Sequence, residues 1–545
     1  MRYCQIAGQI RNKANKFIEK PYSFAIKNTS EALNCKWQPK TEFLPACANN
    51  NSEAAILKGY FNFLNKEKYL NFPAGWNQDS LAKLWTYNLH YFDYIWLLDY
   101  PQAKILVLDW IEKHPLLKNN TGWESYPISL RIMNWCSVFF HKYRLQTESD
   151  IVFLKKLCDS IYLQTEWLIK HLEVHLMGNH LLENAAALVF AGSCFEGNAA
   201  ANWYKKGKDI LYKQVPEQIL FDGMHFELSV MYHLRITSLL ANLFNINNPE
   251  INNIIEAPLK RMLEALGHIT HPDGNISLFN DSAFNIYNSP DKIISYTENL
   301  FKSKYTSNNK GAFALPEAGY YGYRDFAGNY IICDAASIGP DYIPGHAHAD
   351  IFSFELSLKG HRVIVDSGVY DYEISQIRQY CRSTKAHNTI EIDNHNQSEM
   401  WAAFRVARRG KPFNVQWKPS DNGFELSGTH DGYKRLKGNP LHHRIFTWDT
   451  KGKLIVKDII TSKCNHIIKS RVHLNPNCKI IKIENNIATI QYPKGIFTIT
   501  FIGKGNLDIE DSIYCPEFGK KLPNKALVFT VKGSNIENQF ILEAR

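Results

Sequence analysis

The spacing of apolar residues changes once along this 545-residue chain, near residue 315. From about residue 53 to residue 300, apolar side chains recur every three to four positions, as Leu154, Leu157 and Ile161 do between charged neighbours. This period is typical of amphipathic helices. It predicts helices in the stretches 54–69, 88–113, 127–145, 151–172, 180–193, 198–213, 226–246 and 251–269. Many successive helices joined by short connections predict a helical array or toroid.

After residue 315 the period falls to two. Phe352, Phe354 and Leu356 occupy alternate positions, and Lys359-Gly360 has the character of a turn before a second strand. This pattern predicts a β-hairpin. Further short apolar runs predict strands at 330–336, 388–393, 412–417, 423–428, 443–449, 453–461, 467–474, 487–492, 496–502, 526–532 and 538–543. So many short strands indicate a β-sandwich of large sheets.

The two periods together predict a multidomain α+β protein. We expect an N-terminal (α/α) toroid of helices over residues 1–315 and a C-terminal antiparallel β-sandwich over residues 316–545, with the boundary at 310–320. The first 50 residues have a mixed pattern and receive no assignment.

The charge of the chain favours an anionic partner. The formal net charge is +9, and a positive excess attracts polyanions. No dense Lys/Arg run and no nucleic-acid-binding motif is present, so an acidic polysaccharide or oligosaccharide is favoured over nucleic acid. Aromatic residues make up 13% of the chain, which fits either large cores or a groove that stacks sugar rings.

The cysteines indicate a reducing compartment. There are 11 of them, irregularly spaced and without a C-x-x-C pair, which disfavours a disulfide scaffold. The first residues lack the apolar stretch of a secretory signal, and no run approaches the roughly 18 apolar residues of a membrane span. We therefore expect a cytoplasmic protein without a transmembrane segment, with a periplasmic location as the alternative.

The segment HLMGNHLLENAAALVFAG contains the first candidate site residues, Asn179, His180 and Glu183. If a helix begins near Gly178, His180 and Glu183 share one of its faces. In the alternative interpretation, Asn179 caps the helix and His180 is a buried, hydrogen-bonded side chain.

The segment FDGMHFELSVMYHLRI contains the second group. In a helix, Tyr232 and Arg235 lie one turn apart, and a nearby cation favours the phenolate and lowers the pKa of a tyrosine from about 10. In the alternative interpretation, the Tyr232 ring packs in the core and its hydroxyl meets a backbone carbonyl.

The segment GPDYIPGHAHADIFSFEL contains the third group. His346 and His348 point to the same side if this segment is extended. Together with Asp366 and His387 downstream, His348 completes a His₂Asp set of the kind that suits zinc. The alternative is a polar core lined by histidines.

Other polar and aromatic clusters are typical of a groove lining. Candidate contacts to sugars or carboxylates are Asn88, His90, Tyr91, Arg131, Arg235, Arg378 and Arg382. Arginine can hold a carboxylate through two hydrogen bonds. The alternative is that these side chains pack between helices.

The same segments resemble the heparinase II/III-like polysaccharide lyases. The resemblance rests on these stretches, in the family's order over residues 85–446: YNLHYFDY, YPISLRIMNW, GNHLLENA, GMHFELSVMYH, GHAHADIFSFEL, VIVDSGVYDY, AHNTIEID and HHRIF. It implies an (α/α) toroid followed by an antiparallel β-sandwich, in agreement with the two apolar periods.

The resemblance also implies roles for single residues. Tyr232 is similar to the family's catalytic tyrosine, acting as base and also as acid, and His346 to its catalytic histidine. Asn179 or His180 stands where the family places the residue that neutralises the uronate carboxylate. Glu183 resembles a supporting carboxylate of some members. The set of His348, Asp366 and His387 resembles a structural zinc site.

These residue types suit β-elimination. The C5 proton of a uronic acid is weakly acidic until the adjacent carboxylate is neutralised, after which a base removes it and an acid protonates the O4 leaving group. A glycoside hydrolase would instead need two carboxylates, for which Asp222, Glu227, Asp281 and Asp350 are available. A third hypothesis is a glycan-binding or polysaccharide-assembly protein without turnover. The polymer is not identified by the sequence, and a homodimer is kept as an assembly state to test.

Overall fold

The computed structural model describes residues 2–3, 5–10, 33–47, 50–70, 75–78, 80–116, 120–304, 310–421 and 423–544. Much of the unassigned first 50-residue stretch lies outside these ranges. Among the described residues, no helix is both long enough and apolar enough to cross a membrane.

The first half of the described chain is helical, as the 3.6-residue period predicts. Its helices are α1 Glu53–Leu57, α2 Lys83–Tyr91, α3 Tyr100–Lys113, α4 Ser125–Ser137, α5 Arg144–Ser149, α6 Ile151–Lys170, α7 Gly178–Cys194, α8 Asn198–Gln218, α9 Val230–Asn245, α10 Pro249–Ile269 and α11 Pro290–Phe301. Single 3₁₀ turns at Asp93–Leu97 and Thr121–Trp123 and a π turn at Val138–Lys142 interrupt the series.

Local side chains set the starts of several helices. Asp99 accepts a hydrogen bond from the Gln102 amide in a capping box before α3, and Ser229 accepts one from the Tyr232 amide before α9. Such caps satisfy amide groups that the first turn leaves free. Helix α7 is buried on nearly every side and packs against α4, α8 and α9. The central position of α7 explains why its sequence is apolar around most of its circumference.

One predicted helix is wrong, and another, 88–113, is divided between Tyr91 and Tyr100 into α2, a 3₁₀ turn and α3. The stretch 54–69 forms the short helix α1 followed by the antiparallel hairpin β1 Tyr60–Phe63 and β2 Lys66–Tyr69. Gly59, with φ +85°, follows the end of α1, as glycine commonly does at helix ends. Leu64 and Asn65 both have φ +57° and form the turn between the strands. The apolar spacing alone did not reveal the end of α1 at Gly59 or the turn at Leu64 and Asn65.

The second half is an antiparallel β-structure, so the predicted fold class is confirmed. A five-stranded sheet contains β3 Gly311–Leu315, β4 Tyr320–Arg324, β5 Tyr330–Asp334, β6 Phe354–Leu358 and β7 His361–Ile364, paired in that order. The turn between β6 and β7 contains Lys359 and Gly360, both with positive φ. This is the backbone conformation of a tight two-residue hairpin turn, where the sequence predicted it.

A larger sheet packs against the first one. Its strands are paired in the order β11 Pro412–Ser420, β12 Gly423–His430, β13 Leu441–Asp449, β14 Lys453–His473, β19 Lys520–Ala544, β17 Gly495–Ile502, β16 Ile487–Tyr492 and β15 Lys479–Glu484. Strand β18 Gly505–Glu517 also pairs with β19, and β8 Ile390–Ile392 pairs with β14. Phe354 of the smaller sheet contacts Phe446 and Phe540 of the larger one, in the core between the sheets.

A short helix, a 3₁₀ turn and a two-stranded hairpin lie outside the two large sheets. Helix α12 Gln376–Cys381 and a 3₁₀ turn at Thr384–Ala386 follow β7, and a two-stranded hairpin follows β8, formed by β9 Met400–Trp401 and β10 Arg405–Val406.

The helical half and the sandwich meet at two loops. The Ser229 hydroxyl at the start of α9 donates to the Asp281 carbonyl at 2.6 Å. The Asp281 amide in turn donates to the His346 carbonyl, and the His348 amide donates to Asn280 Oδ1, both at 3.0 Å. These bonds join the start of α9, the loop after α10 and the loop before β6, and they place Tyr232 and His346 side by side.

Candidate active site at the junction of the two domains

Tyr232 lies against His346 at this junction. The two ring centroids are 4.2 Å apart, and the Tyr232 hydroxyl lies 3.4 Å from the hydroxyl of Tyr372. Tyr232 is 9% exposed. Burial raises the pKa of Tyr232 well above its ordinary value, and the neighbouring Tyr372 and Tyr287 add to this effect. The side chain is therefore a phenol in the resting protein.

We expected Arg235 to lower the pKa of Tyr232, but the net pKa of Tyr232 is raised. The Arg235 guanidinium pairs with the fully buried carboxylate of Glu183 through two hydrogen bonds, one of them 2.8 Å from Nη2 to Oε2. Arg235 is one turn from Tyr232 in sequence, but its charge is directed at Glu183 on α7. Helical spacing predicted that Arg235 lies near Tyr232, but it could not predict which carboxylate pairs with Arg235.

The His346 imidazole lies between two buried carboxylates. Its Nδ1 is 3.0 Å from Asp281 Oδ2, and its Nε2 is 3.4 Å from Glu227 Oε2. Asp281 also receives both terminal nitrogens of Arg378 and, at 2.9 Å, Nε2 of His348. Burial opposes ionisation of Asp281, but the Arg378 guanidinium and the two imidazoles hold its pKa well below the usual range. Asp281 is thus an anion that fixes the position of His346.

Asn179 is joined to His346 through Glu227. Glu227 Oε1 accepts the Asn179 backbone amide at 2.7 Å and its side-chain amide at 3.0 Å. Gly178 allows this approach, since a Cβ on that residue would lie 2.5 Å from Glu227 Oε1. Burial raises the pKa of Glu227, but nearby imidazoles and the Asn179 donors outweigh it and lower the pKa overall. Asn179 therefore faces the same space as His346.

His180 points in a different direction from Asn179, because consecutive helical residues diverge by about 100°. Its Nδ1 lies 3.0 Å from Glu173 Oε1, and its ring centroid is 4.4 Å from that of Tyr126. Burial lowers the pKa of His180. Glu173 and the more distant carboxylates raise it by a larger amount, so the net pKa is above the ordinary value. His180 is a half-buried imidazole on the Tyr126 side of the site, and Glu173 favours its charged form.

Arg378 and Arg382 organise the junction from inside. Both are fully buried. Arg378 holds Asp281 and the Ala403 carbonyl, while Arg382 donates to the carbonyls of Ala347 and Ala402. With no surface left to solvent, neither guanidinium is open to a substrate in this conformation.

The candidates on α2 and α4 lie inside the helical domain. Arg131 is fully buried and donates to Gln164 Oε1 and to the carbonyls of His90 and Gly122 at 2.8–3.0 Å. The His90 ring is buried beside it, and the Asn88 amide donates to a carbonyl of its own helix. Of the two alternatives for Arg131 and His90, the structure places both in the packing role, because both side chains are buried and each guanidinium nitrogen of Arg131 donates to an internal acceptor.

Tyr91 lies closer to the site. It is buried, and its ring is 5.9 Å from that of Tyr126, which in turn contacts His180. Tyr91 therefore supports the wall of the site on the His180 side.

His348, Asp366 and His387 converge in the interior of the sandwich domain. One ligand atom from each lies within 4.8 Å of the others, and all three residues are buried. His348 Nδ1 and His387 Nε2 are buried and have no hydrogen-bond partner. Burial lowers the pKa of His348 to about 3, so its imidazole is neutral, the form that binds metals. Two imidazoles and a carboxylate are a donor set that zinc accepts.

Sequence reasoning missed the roles of Asp281, Glu227 and Tyr372. The two carboxylates entered only as candidates for a hydrolase, and Tyr372 was not singled out. Glu227 and Tyr372 lie in the stretches GMHFELSVMYH and VIVDSGVYDY, whereas Asp281 lies outside the stretches that carry the resemblance. Their link to His346 depends on the packing of distant loops, which no local pattern reports.

Comparisons with known proteins agree with this architecture. The family model described as "Heparinase II/III N-terminus" matches residues 99–306, and the model "Heparinase II/III-like, C-terminal" matches residues 307–541. The boundary between them lies just before β3.

Two curated relatives are both named heparin-sulfate lyase. The protein from Bacteroides stercoris is 25% identical over 410 residues, which cover 65% of this chain and 57% of that protein. The protein from Pedobacter heparinus is 27% identical over 468 residues, which cover 79% of this chain and 67% of that protein. The aligned part of this chain thus spans a little over half to two thirds of these relatives.

Solved structures show the same fold. A crystal structure titled heparinase III aligns with a TM-score of 0.70 at 18% identity, covering 86% of this chain and 79% of that one. A mutant heparan sulfate lyase from Pedobacter heparinus aligns with a TM-score of 0.65 at 20% identity, covering 99% of this chain and 88% of that one.

Proposed function

The chain belongs to the heparinase II/III family, and from this membership we propose that it is a polysaccharide lyase that cleaves a uronic-acid-containing polysaccharide by β-elimination. One observation carries the proposal at the level of chemistry. The Tyr232 phenol and the His346 imidazole lie in contact, 4.2 Å between ring centroids, beside the amide of Asn179. An acid, a base and a carboxylate contact are the three groups that this elimination requires.

His346 is the base in this proposal. Asp281 Oδ2 accepts the proton on Nδ1, which leaves Nε2 as the basic nitrogen, and Glu227 Oε2, 3.4 Å from Nε2, stabilises the imidazolium that forms. This is the logic by which a buried aspartate selects the tautomer of a catalytic histidine in hydrolytic triads. Nε2 then takes the C5 proton of the uronic acid.

Tyr232 is the acid. Its raised pKa keeps the proton on the phenol, so it can protonate O4 as the C4–O4 bond breaks. The electrons of the C5–H bond form the new C4–C5 double bond, and O4 leaves with the phenol proton. The proton that His346 has taken from C5 then restores the Tyr232 phenol, with the Tyr372 hydroxyl, 3.4 Å from that of Tyr232, as a relay. No water is consumed, and one product carries an unsaturated sugar end.

Asn179 contacts the uronate carboxylate. Its amide lies on the same side of α7 as His346, whereas the adjacent His180 faces Glu173 and Tyr126. A hydrogen-bond donor at the carboxylate stabilises the negative charge that develops when the C5 proton leaves. His180 and the Glu183–Arg235 pair form the wall behind it.

His348, Asp366 and His387 would hold zinc as a structural ion. When bound, zinc supplies a fixed link among the loops that carry its ligands. His348 is the residue through which this link reaches the site, since its other ring nitrogen contacts Asp281. No catalytic step uses the ion.

The test is a screen of uronic-acid polysaccharides followed by ultraviolet absorbance. A lyase produces a conjugated C=C that absorbs in the ultraviolet, and Tyr232→Phe should lower the rate by about 10²–10⁴-fold. Reducing ends without new absorbance would favour the glycoside hydrolase alternative. Binding without either product would favour a glycan-binding protein.

We propose a reducing compartment as the location. The ten cysteines that the structure describes are all free thiols, six of them buried and four half-buried, and none is in a disulfide. Fractionation of native cells would contradict this if the protein were found wholly in the periplasm.

A further inference from the structure

The β9–β10 hairpin stands at the edge of the candidate active site. Its turn contains Phe404, whose ring centroid lies 6.1 Å from that of His346 and 5.1 Å from that of Tyr372. The hairpin is therefore continuous with the space where Tyr232 and His346 meet.

Side chains of α12 hold the turn of this hairpin through hydrogen bonds to its carbonyls. Arg378 donates to the Ala403 carbonyl at 2.8 and 3.1 Å, and Gln379 donates to the Ala402 carbonyl at 2.8 Å. Arg378 is the side chain that also holds Asp281 behind His346. The same buried guanidinium thus fixes the hairpin relative to the base.

The outer side of the hairpin is aromatic and exposed. Trp401 is 54% exposed and Phe404 is 42% exposed, although each lies on a firmly anchored backbone. Leaving large apolar surface in water is unfavourable, and adjacent exposed aromatics on a rigid support indicate a binding surface. Flat apolar faces of this kind pack against the apolar faces of sugar rings.

Arg405 supplies an available positive charge on this surface. Its guanidinium carbon lies 5.5 Å from the centroid of the Trp401 ring, and the side chain is exposed. The neighbouring Arg408 and Arg409 have carboxylate partners in Glu399 and Asp341, whereas none of the ion pairs among the described residues involves Arg405. Arg405 is thus free to meet an anion from solution.

We propose that Trp401, Phe404 and Arg405 form a subsite for the acidic polysaccharide beside the bond that is cleaved. Phe404 packs against the sugar next to the reacting uronate, Trp401 stacks on the sugar that follows, and Arg405 binds a carboxylate or sulfate on that sugar. The proposal rests on the proposed function, because the occupant is the lyase's own substrate. Charge complementarity and continuity with the site select this occupant over an apolar partner.

Steady-state kinetics on long and short substrates test the subsite. Trp401→Ala should raise KM for the polymer roughly fivefold to tenfold with little change in kcat, as expected for loss of one aromatic contact. Arg405→Ala should raise KM and weaken its dependence on salt, and Arg405→Lys should restore part of the affinity. On the shortest oligosaccharide that is cleaved, both variants should match the wild-type protein.

Matched controls separate this effect from general surface changes. Phe326, 90% exposed between β4 and β5, and Lys504, exposed before β18, lie outside the site and its hairpin. Phe326→Ala and Lys504→Ala should leave KM for the polymer unchanged. If the Trp401 and Arg405 variants behave like these controls, the subsite is overturned.

Binding measured without turnover distinguishes this proposal from the proposed function. Electrophoresis through gels that contain a uronic polysaccharide, with Tyr232→Phe as the parent, reports retardation while the polymer stays intact. Loss of retardation on adding Trp401→Ala or Arg405→Ala supports the subsite even if no unsaturated product ever forms. Equal retardation of parent and hairpin variants overturns the subsite even if the wild-type protein is an active lyase. A parent that no acidic polymer retards also overturns it.

Discussion

Asp281 Oδ2 lies 3.0 Å from Nδ1 of His346, and the two residues come from loops 65 positions apart. The carboxylate is fully buried and is held by Arg378 from the opposite side. This contact determines which nitrogen of His346 faces the site. It gives Asp281 a positioning role that does not require contact with the substrate.

Asp281→Asn should lower kcat by about 10³–10⁴-fold with little change in KM, because an amide no longer selects the tautomer with the proton on Nδ1 and the basic lone pair on Nε2. Kinetics on a cleaved polymer and thermal unfolding should be measured together. Asp458→Asn is the matched control, since Asp458 is also buried and bonded to an arginine and a histidine, Arg444 and His442, within the sandwich. Equal losses of kcat in the two variants would show that Asp281 stabilises the fold and does not position His346 for catalysis.

Asn179→Ala should lower kcat by about 10²–10³-fold, the range for removing one donor that stabilises developing negative charge. His180→Ala should have the smaller effect, because its imidazole faces Glu173 and Tyr126. Single-turnover rates on the same substrate check this order. The reverse order would assign the carboxylate contact to His180.

If Tyr232 is the acid, a substrate whose leaving group needs no proton should restore the activity of Tyr232→Phe. On a uronate with fluoride at C4, which departs without a proton, Tyr232→Phe should recover most of the wild-type rate. His346→Ala should remain slow on the same compound, since the C5 proton must still be removed. Rates on fluoride and sugar leaving groups should be compared for both variants. If His346→Ala recovered the wild-type rate instead, His346 would be the acid and Tyr232 the base.

The metal assignment predicts a measurable zinc content. The purified protein should contain zinc, and His348→Ala and His387→Ala should lose it and unfold at lower temperature, because the ion links their loops. Elemental analysis and thermal unfolding measure both effects. His361→Ala, on the half-buried side chain at the start of β7, is the control that should keep the metal. Near-zero zinc in wild-type protein and variants alike would count against the site.

The Asp458 carboxylate predicts how stability depends on pH. Burial opposes its ionisation, but Arg444 and His442 outweigh burial and lower the Asp458 pKa from 3.8 to about 2. Because the folded pKa is depressed, this stabilisation is present above pH 3.8 and is lost as the pH falls toward about 2; it amounts to about 2 kcal/mol.

Asp458→Asn should therefore destabilise the protein by about 3–5 kcal/mol near neutral pH, as expected for breaking a buried ion pair. The part of this difference that comes from the Asp458 pKa should fall by about half near pH 3. Denaturant unfolding across this range checks the trend. A difference that grew on acidification would show that the sign of the pKa shift is wrong.

The order of the domains followed from the sequence by itself. The switch from a 3.6-residue to a 2-residue apolar period marks the change from helices to strands near residue 315, and β3 begins at Gly311. The Lys359-Gly360 turn was also predictable, because its backbone conformation depends on the residues in the turn itself. The stretch 54–69 was misread because a four-residue strand is too short to establish a period.

Segments rich in catalytic residue types were visible in the sequence, but their partners were not. Arg235 is one helical turn from Tyr232, yet its charge goes to Glu183 on α7. His346 meets Asp281 and Glu227 from two other loops, and Arg131 is enclosed by carbonyls rather than exposed. Periodicity reports which face of an element is apolar, because that depends on neighbours a few residues away. Which polar groups meet depends on how distant elements pack, and only the tertiary structure decided that.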